Sequence, residues 1–159
     1  MNKPTLYMET TIPSYLLAEP SRDVISLARQ DITRRWWKRD QAHYSIFVSD
    51  IVLQEAGRGD PNEAEKRREF LRTFPVLDET LEVEVLTTLY LEQGVVPAGN
   101  LEDAAHLAFA SIHEMEYLCT WNFRHLANVF ALRRLRKLNE QKGLFIPQVC
   151  TPEELLGEL

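Results

Sequence analysis

Short apolar runs alternate along this chain with longer stretches whose apolar positions recur at helical spacing. Leu6-Tyr7-Met8, Ile46-Phe47-Val48, Tyr117-Leu118-Cys119-Thr120 and Leu144-Phe145-Ile146 are too short for helices and read as buried strands. Pro75-Val76-Leu77 reads as a brief extended piece. Pro13 suits the first turn of a short helix over Ser14 to Ala18, and Pro20 closes it. Ser21 opens a second helix that runs to Asp40, with Val24, Leu27, Ala28, Ile32 and Trp36 as its apolar stripe.

Helix signals fill the remaining gaps. Ser49-Asp50 caps a helix over Ile51 to Ala56 that stops at Gly57, and Asp60-Pro61 starts another that runs to about Thr73. Leu81 to Gln93 ends at Gly94. Asn100 caps a helix with the stripe Leu101, Ala104, Ala105, Ala108 and Ile112, small enough to pack close to a sheet. Asn122 to Leu138 reads as helical, with Gly143 as its stop, and Thr151-Pro152-Glu153-Glu154 is a helix start with cap, proline and acids in order. Strand-helix alternation of this kind predicts an α/β domain with a central, mainly parallel sheet flanked by helices. No linker or repeat divides residues 1–159, so a single domain is expected.

Charge changes the picture only locally. Eighteen basic against twenty-four acidic residues leave −6, which argues against a protein that holds nucleic acid by bulk charge. The charge is uneven, however. Six basic against three acidic residues put Ser21–Asp40 at +3, and six against one put Trp121–Lys142 at +5. Two cysteines, Cys119 and Cys150, make neither a disulfide framework nor a zinc cluster; both sit in apolar context and are expected buried and reduced. With no signal-peptide pattern and no apolar run of membrane-spanning length, a cytoplasmic protein is expected.

Polar residues recur where open α/β sheets bind ligands, just beyond the carboxyl ends of the strands. Glu9 follows the first strand, Glu55 lies one helical turn beyond Ser49-Asp50, Asp103 sits in the first turn of the alanine-rich helix, and Asn122 follows the strand ending at Thr120. Oxygen donors gathered in this way suit a divalent magnesium or manganese ion, which activates water and neutralises charge on a phosphate. A capping role is the bland alternative for any one of these acids. His106, three residues after Asp103, reads as a structural histidine or a neighbour to that acid. Asp50 and Glu102 read as solvated surface acids, and Trp36 and Trp37 as core or interface anchors. Neither a phosphate-cradling glycine loop nor a serine nucleophile elbow is present.

In this order, Leu6-Tyr7-Met8-Glu9-Thr10-Thr11-Ile12, then Glu55, then Leu101-Glu102-Asp103-Ala104-Ala105-His106, then Thr120-Trp121-Asn122-Phe123 resemble the PIN domain, and most of all the VapC-type toxin ribonucleases of toxin-antitoxin systems. The resemblance spans Leu6 to Leu155. It implies a ribonuclease that depends on Mg2+ or Mn2+ and hydrolyses RNA phosphodiester bonds. Glu9, Glu55, Asp103 and Asn122 would be its metal-binding and catalytic residues. Glu9 replaces the usual first Asp, and Asn122 stands where the common pattern has a fourth acid. Thr11, Arg58 and Arg124 are the candidate substrate-binding residues, and the arginines of the second helix and the cluster Arg133, Arg134, Arg136, Lys137 are further backbone-binding candidates. The resemblance also implies a cognate antitoxin, a homodimer and no membrane association, with Tyr15, Trp36 and Trp37 on the first two helices as the candidate partner surface. Two other readings stay open: a catalytically degenerate PIN-fold interaction module, suggested by the exchanges at Glu9 and Asn122, and a phosphatase-like hydrolase of small molecules.

Overall fold

The computed structural model describes residues 2–157. Five parallel strands form one sheet in the order β3-β2-β1-β4-β5. They are β1 (Thr5–Met8), β2 (Ser45–Ser49), β3 (Val76–Leu77), β4 (Tyr117–Cys119) and β5 (Gln148–Cys150). β1 is central: Leu6 registers with Ile46 of β2 on one side and with Tyr117 of β4 on the other. Successive strands fill one side of β1 first and then the other, so the order reverses between β1 and β4. In sheets of this kind that is where a crevice opens at the carboxyl ends.

Among the described residues, eight α-helices flank the sheet: α1 (Thr11–Leu17), α2 (Val24–Asp40), α3 (Asp50–Ala56), α4 (Pro61–Leu71), α5 (Leu81–Glu92), α6 (Leu101–Ile112), α7 (Val129–Lys142) and α8 (Pro152–Leu156). α6 is buried without interruption from Ala104 to Ser111, as expected of a helix covered on every side rather than on one stripe. Its alanines admit the close approach, and Phe109 stacks on Tyr7 of β1 with ring centroids 6.4 Å apart. Both cysteines lie in the core, as expected, facing one another in the β4–β5 register. Burial pushes both thiols up, Cys150 to about 12.

The structure departs from the sequence pattern in several places; α1, for one, starts at Thr11 rather than Ser14. The stripe expected on α2 is largely wrong: Val24 is 76% exposed and Leu27 and Ala28 face outward, while Trp36 is buried and Ile32 packs against the core as expected. The buried face is instead Gln30, Thr33, Trp36 and Asp40, and its polar members are satisfied locally. Gln30 accepts from the Ser21 backbone N–H at 2.8 Å and donates to the Glu19 carbonyl, and Thr33 accepts from Trp121 Nε1 at 2.8 Å. Trp36 is fully buried and Trp37 packs against Phe70 and Phe74, so neither supplies the expected partner surface. α2 itself starts at Val24 because Asp23, not Ser21, accepts from the Ser26 N–H.

The last two departures concern the C-terminal third. α7 begins at Val129 rather than Asn122, because Asn128 caps it by accepting from the N–H groups of Phe130 and Ala131. The final strand is Gln148–Cys150, not Leu144–Ile146. Gly143 takes the left-handed conformation (φ 66°), and the Leu144 N–H turns back to the Asn139 carbonyl. Residues 144–147 are consumed in leaving the helix before β5 begins.

Leu118 is fully buried at the centre of β4. Leu118→Ala is expected to lower stability by about 2–5 kcal/mol in urea unfolding.

Candidate functional site

The carboxyl ends of β1 and β4 carry the first half of the site. β1 ends at Met8, the Glu9 N–H continues the ladder to the Cys119 carbonyl at 3.1 Å, and the Glu9 side chain turns into the crevice, only 4% exposed. One oxygen, Oε1, is held by three donors: the Thr11 N–H at 3.1 Å, Thr11 Oγ1 at 2.5 Å and Thr120 Oγ1 at 2.7 Å. Thr11 Oγ1 in turn accepts from the Trp121 N–H, and Thr120 Oγ1 from the Asn122 N–H. The strand ends are thus clamped to each other through the hydroxyls that position the acid. Burial raises the Glu9 pKa, and His106 and the threonine hydrogen bonds offset only part of that rise.

Glu55, in the last turn of α3, approaches from the β2 side. Its Oε1 accepts from Thr10 Oγ1 at 2.7 Å and from His106 Nε2 at 2.6 Å. Burial works against the Glu55 carboxylate, but the hydrogen bond and charge of His106 outweigh it and hold the pKa below the usual value. His106 is fully buried, and its second nitrogen, Nδ1, lies 2.6 Å from Tyr7 Oη, which lies 2.7 Å from Ser49 Oγ. Burial depresses the imidazolium, yet Glu55, Glu9 and Asp103 together raise the His106 pKa. In its protonated form the ring donates at Nε2 to Glu55 and at Nδ1 to Tyr7, whose hydroxyl donates onward to Ser49. Glu9, Glu55 and His106 each offer one ligand atom, and these atoms lie within 4.8 Å of one another.

Asp103, in the first turn of α6, shares a cleft of about 250 Å3 with Glu55 and Glu102. Its Oδ1 accepts from Asn122 Nδ2 at 3.2 Å, and its Oδ2 pairs with His125 Nδ1 at 2.8 Å. The amide oxygen of Asn122 is occupied by the N–H groups of Arg124 and His125 at 3.1 and 3.0 Å. Asn122 therefore organises the loop after β4 and presents its nitrogen to Asp103. Arg58 reaches across the rim to Glu102 at 2.8 Å, so Glu102 is a member of the cleft wall rather than the free surface acid expected from sequence. Arg124 is exposed beside Asn122, and Asp50 is exposed as expected.

The structure therefore brings Glu9 and Glu55 into one cluster and places Asp103 and Asn122 against each other at the same cleft. Four participants carry no strong sequence signal. Thr10, Thr120 and the Glu55 partner His106 act across 45 or more residues. The fourth, His125, faces Asp103 because Asn122 accepts from the Arg124 and His125 N–H groups, an Asx-turn that competes with helix initiation at Asn122.

No protein-family model matches the sequence, and neither does any curated protein. Solved structures do match. A chain of VapBC2 from Rickettsia felis, solved bound to a DNA fragment from their promoter, superposes with a TM-score of 0.57 at 16% identity, over 92% of this chain and 98% of that one. A chain of VapBC-1 from nontypeable Haemophilus influenzae gives 0.56 at 18% identity, over 93% of this chain and 98% of that one. The five-stranded parallel sheet flanked by helices is a VapC-like PIN fold. Among the described residues, no helix is long and apolar enough to cross a membrane.

The pKa directions set a pH dependence. A histidine with a folded pKa above its unfolded value of about 6.5 stabilises fully below 6.5, and that contribution is lost as pH rises through the folded value. Glu9, raised by burial, adds a penalty that grows as pH climbs above its own unfolded value. Without divalent ions, the melting temperature is expected to fall as pH rises above 6.5. His106→Gln, read by the same thermal scans, should flatten that decline.

Proposed function

We propose that the protein is a divalent-metal-dependent endoribonuclease that hydrolyses RNA phosphodiester bonds, and that it serves as the toxin of a type II toxin-antitoxin pair. The observation that carries this reading is the convergence of Glu9 and Glu55, with Asp103 across the same cleft, at the crevice between β1 and β4. The donor set fits a hard divalent cation: a buried and a half-buried carboxylate lie close together, where like charges destabilise one another, and a cation offsets that repulsion. When bound, magnesium or manganese supplies an activated water and neutralises charge on the phosphate.

The chain's own groups divide the remaining work. Glu9, Glu55 and Asp103 hold the ion. Thr11 and Thr120 fix the Glu9 oxygen, Thr10 and His106 fix Glu55, and Asn122 and His125 fix Asp103. Because Thr11 Oγ1 is engaged by Glu9 and Trp121, its part is to position the acid rather than to grip the phosphate. Arg58 and Arg124 take the substrate backbone. Releasing Arg58 from its exposed pairing with Glu102 costs little, since exposed ion pairs contribute about 0–1 kcal/mol. A cognate antitoxin and a homodimer belong to the same proposal, supported by the fold shared with VapBC chains.

Asp103→Asn is expected to abolish manganese-dependent RNA cleavage with the fold retained by circular dichroism; undiminished cleavage would overturn the assignment. The second reading, an inactive interaction module, is favoured by one feature, the Asn122 oxygen already spent on two backbone N–H groups. Calorimetric titration with manganese separates the two, because an inactive module binds no ion at the acids.

Asn122→Asp tests the role of the amide. The exchange replaces the N–H donor facing Asp103 with a second carboxylate at about the same place. The metal-free protein is expected to melt lower than the unaltered chain, and manganese should raise the melting temperature of the variant by more than it raises that of the unaltered chain.

A further inference from the structure

The loop that carries Asn122 also lines a groove that the nuclease chemistry does not use. It measures about 510 Å3, within the roughly 300–1,000 Å3 of small-ligand clefts. One wall is the exposed first half of α2, where Val24, Ile25 and Ile32 line it; the other is Trp121 and Phe123. Trp121 is fixed by its Nε1 bond to Thr33 and by an edge contact with Tyr15. Arg29 lies between the walls, its guanidinium 5.0 Å from the Phe123 ring centroid and 5.7 Å from that of Trp121. Phe123 remains 44% exposed even with Arg29 beside it, so ring surface is left for another planar group.

We propose that this groove seats an unpaired base of a single-stranded RNA on Phe123 and Arg29, beside the cleaved phosphodiester. The inference rests on the nuclease reading, and continuity gives it direction. Asn122 faces Asp103 of the carboxylate cleft while its two chain neighbours, Trp121 and Phe123, line the groove, so one loop borders both. The Arg29 guanidinium lies over one part of the Phe123 ring, and the ring surface left exposed together with the guanidinium makes a sequence-tolerant stacking platform, because every base has a π-face. The cation of Arg29 lies on a +3 helix, and Arg124 follows Phe123 at once, so both edges of the platform suit a phosphate backbone. Glu153 is the one acid among the lining residues. The aliphatic wall contacts the base edge and the sugar.

The test measures fluorescence anisotropy of a labelled ten-nucleotide single-stranded RNA on the full chain, with calcium in place of manganese. Phe123→Leu, which keeps an apolar side chain and removes the ring, is expected to weaken binding roughly 5- to 150-fold, the range for loss of one stacked base. Phe123→Trp should restore it, and Arg29→Ala should weaken it. Removing the bases from a stretch of the RNA should reproduce the loss on the unaltered protein, with no further loss in Phe123→Leu. Binding that is indifferent to Phe123→Leu or to base removal overturns the proposal and assigns the groove to an apolar protein segment. Failure of the nuclease reading has a different signature: the unaltered protein then neither binds manganese in calorimetry nor cleaves RNA. If cleavage and manganese binding are intact while the Phe123 variants bind RNA like the unaltered chain, stacking alone is overturned.

Discussion

Two carboxylates held close together away from water repel each other unless something cationic is shared between them, and that constraint organises the crevice of this protein. Glu9 from the end of β1 and Glu55 from the helix after β2 meet at His106, whose ring is wedged between Glu55 and Tyr7. The rest of the surrounding structure follows from keeping this arrangement rigid. The β1–β4 register puts Thr120 beside Glu9, the Thr10-Thr11 pair supplies one hydroxyl to each acid, and Ser49 anchors the far end of the Tyr7–His106 chain. Ser49 also caps α3 through the Val52 N–H, so the helix that delivers Glu55 starts from the same buried network that holds its partner histidine. A parallel sheet is the natural support, since it brings several strand ends to one edge with unpaired polar groups available there.

This explains which parts were readable from the chain and which were not. The positions of Glu9, Glu55 and Asp103 at the carboxyl end of the sheet were readable because each stands at a punctuation mark, directly after a strand or within a turn of a helix end. The alternation of strands and helices was readable for the same reason, down to the two-residue β3. What escaped were relationships that depend on tertiary neighbours. The inward face of α2 is polar at Gln30 and Thr33 because Ser21, Glu19 and Trp121 happen to satisfy them, so counting apolar positions selected the wrong stripe. The β5 register depends on how many residues are spent leaving α7. His106 looked like a neighbour of Asp103 on one helix face, whereas its hydrogen bonds go to Tyr7 and Glu55, 99 and 51 residues away in sequence.

The exchange at Asn122 has a physical logic of its own. An acid at that position facing Asp103 would add a fourth like charge to a crevice that already holds three carboxylates, and the metal-free state would bear the repulsion. An amide removes that charge and adds a donor, and here it uses both ends: Nδ2 to Asp103 and Oδ1 to the loop backbone. The same turn aims the His125 ring at Asp103 and leaves Phe123 at the surface next to Arg29. One side chain thus links the electrostatics of the acids to the shape of the loop beside them. Under the proposed nuclease reading, an exchange from acid to amide that keeps these contacts redistributes charge within the crevice and leaves the three carboxylates in place. On that view, the net −6 of the chain is compatible with an RNA substrate. The acids of the crevice would be offset by a divalent cation, and the cationic stretches Ser21–Asp40 and Trp121–Lys142 meet where Arg29 lies against Trp121 and Phe123.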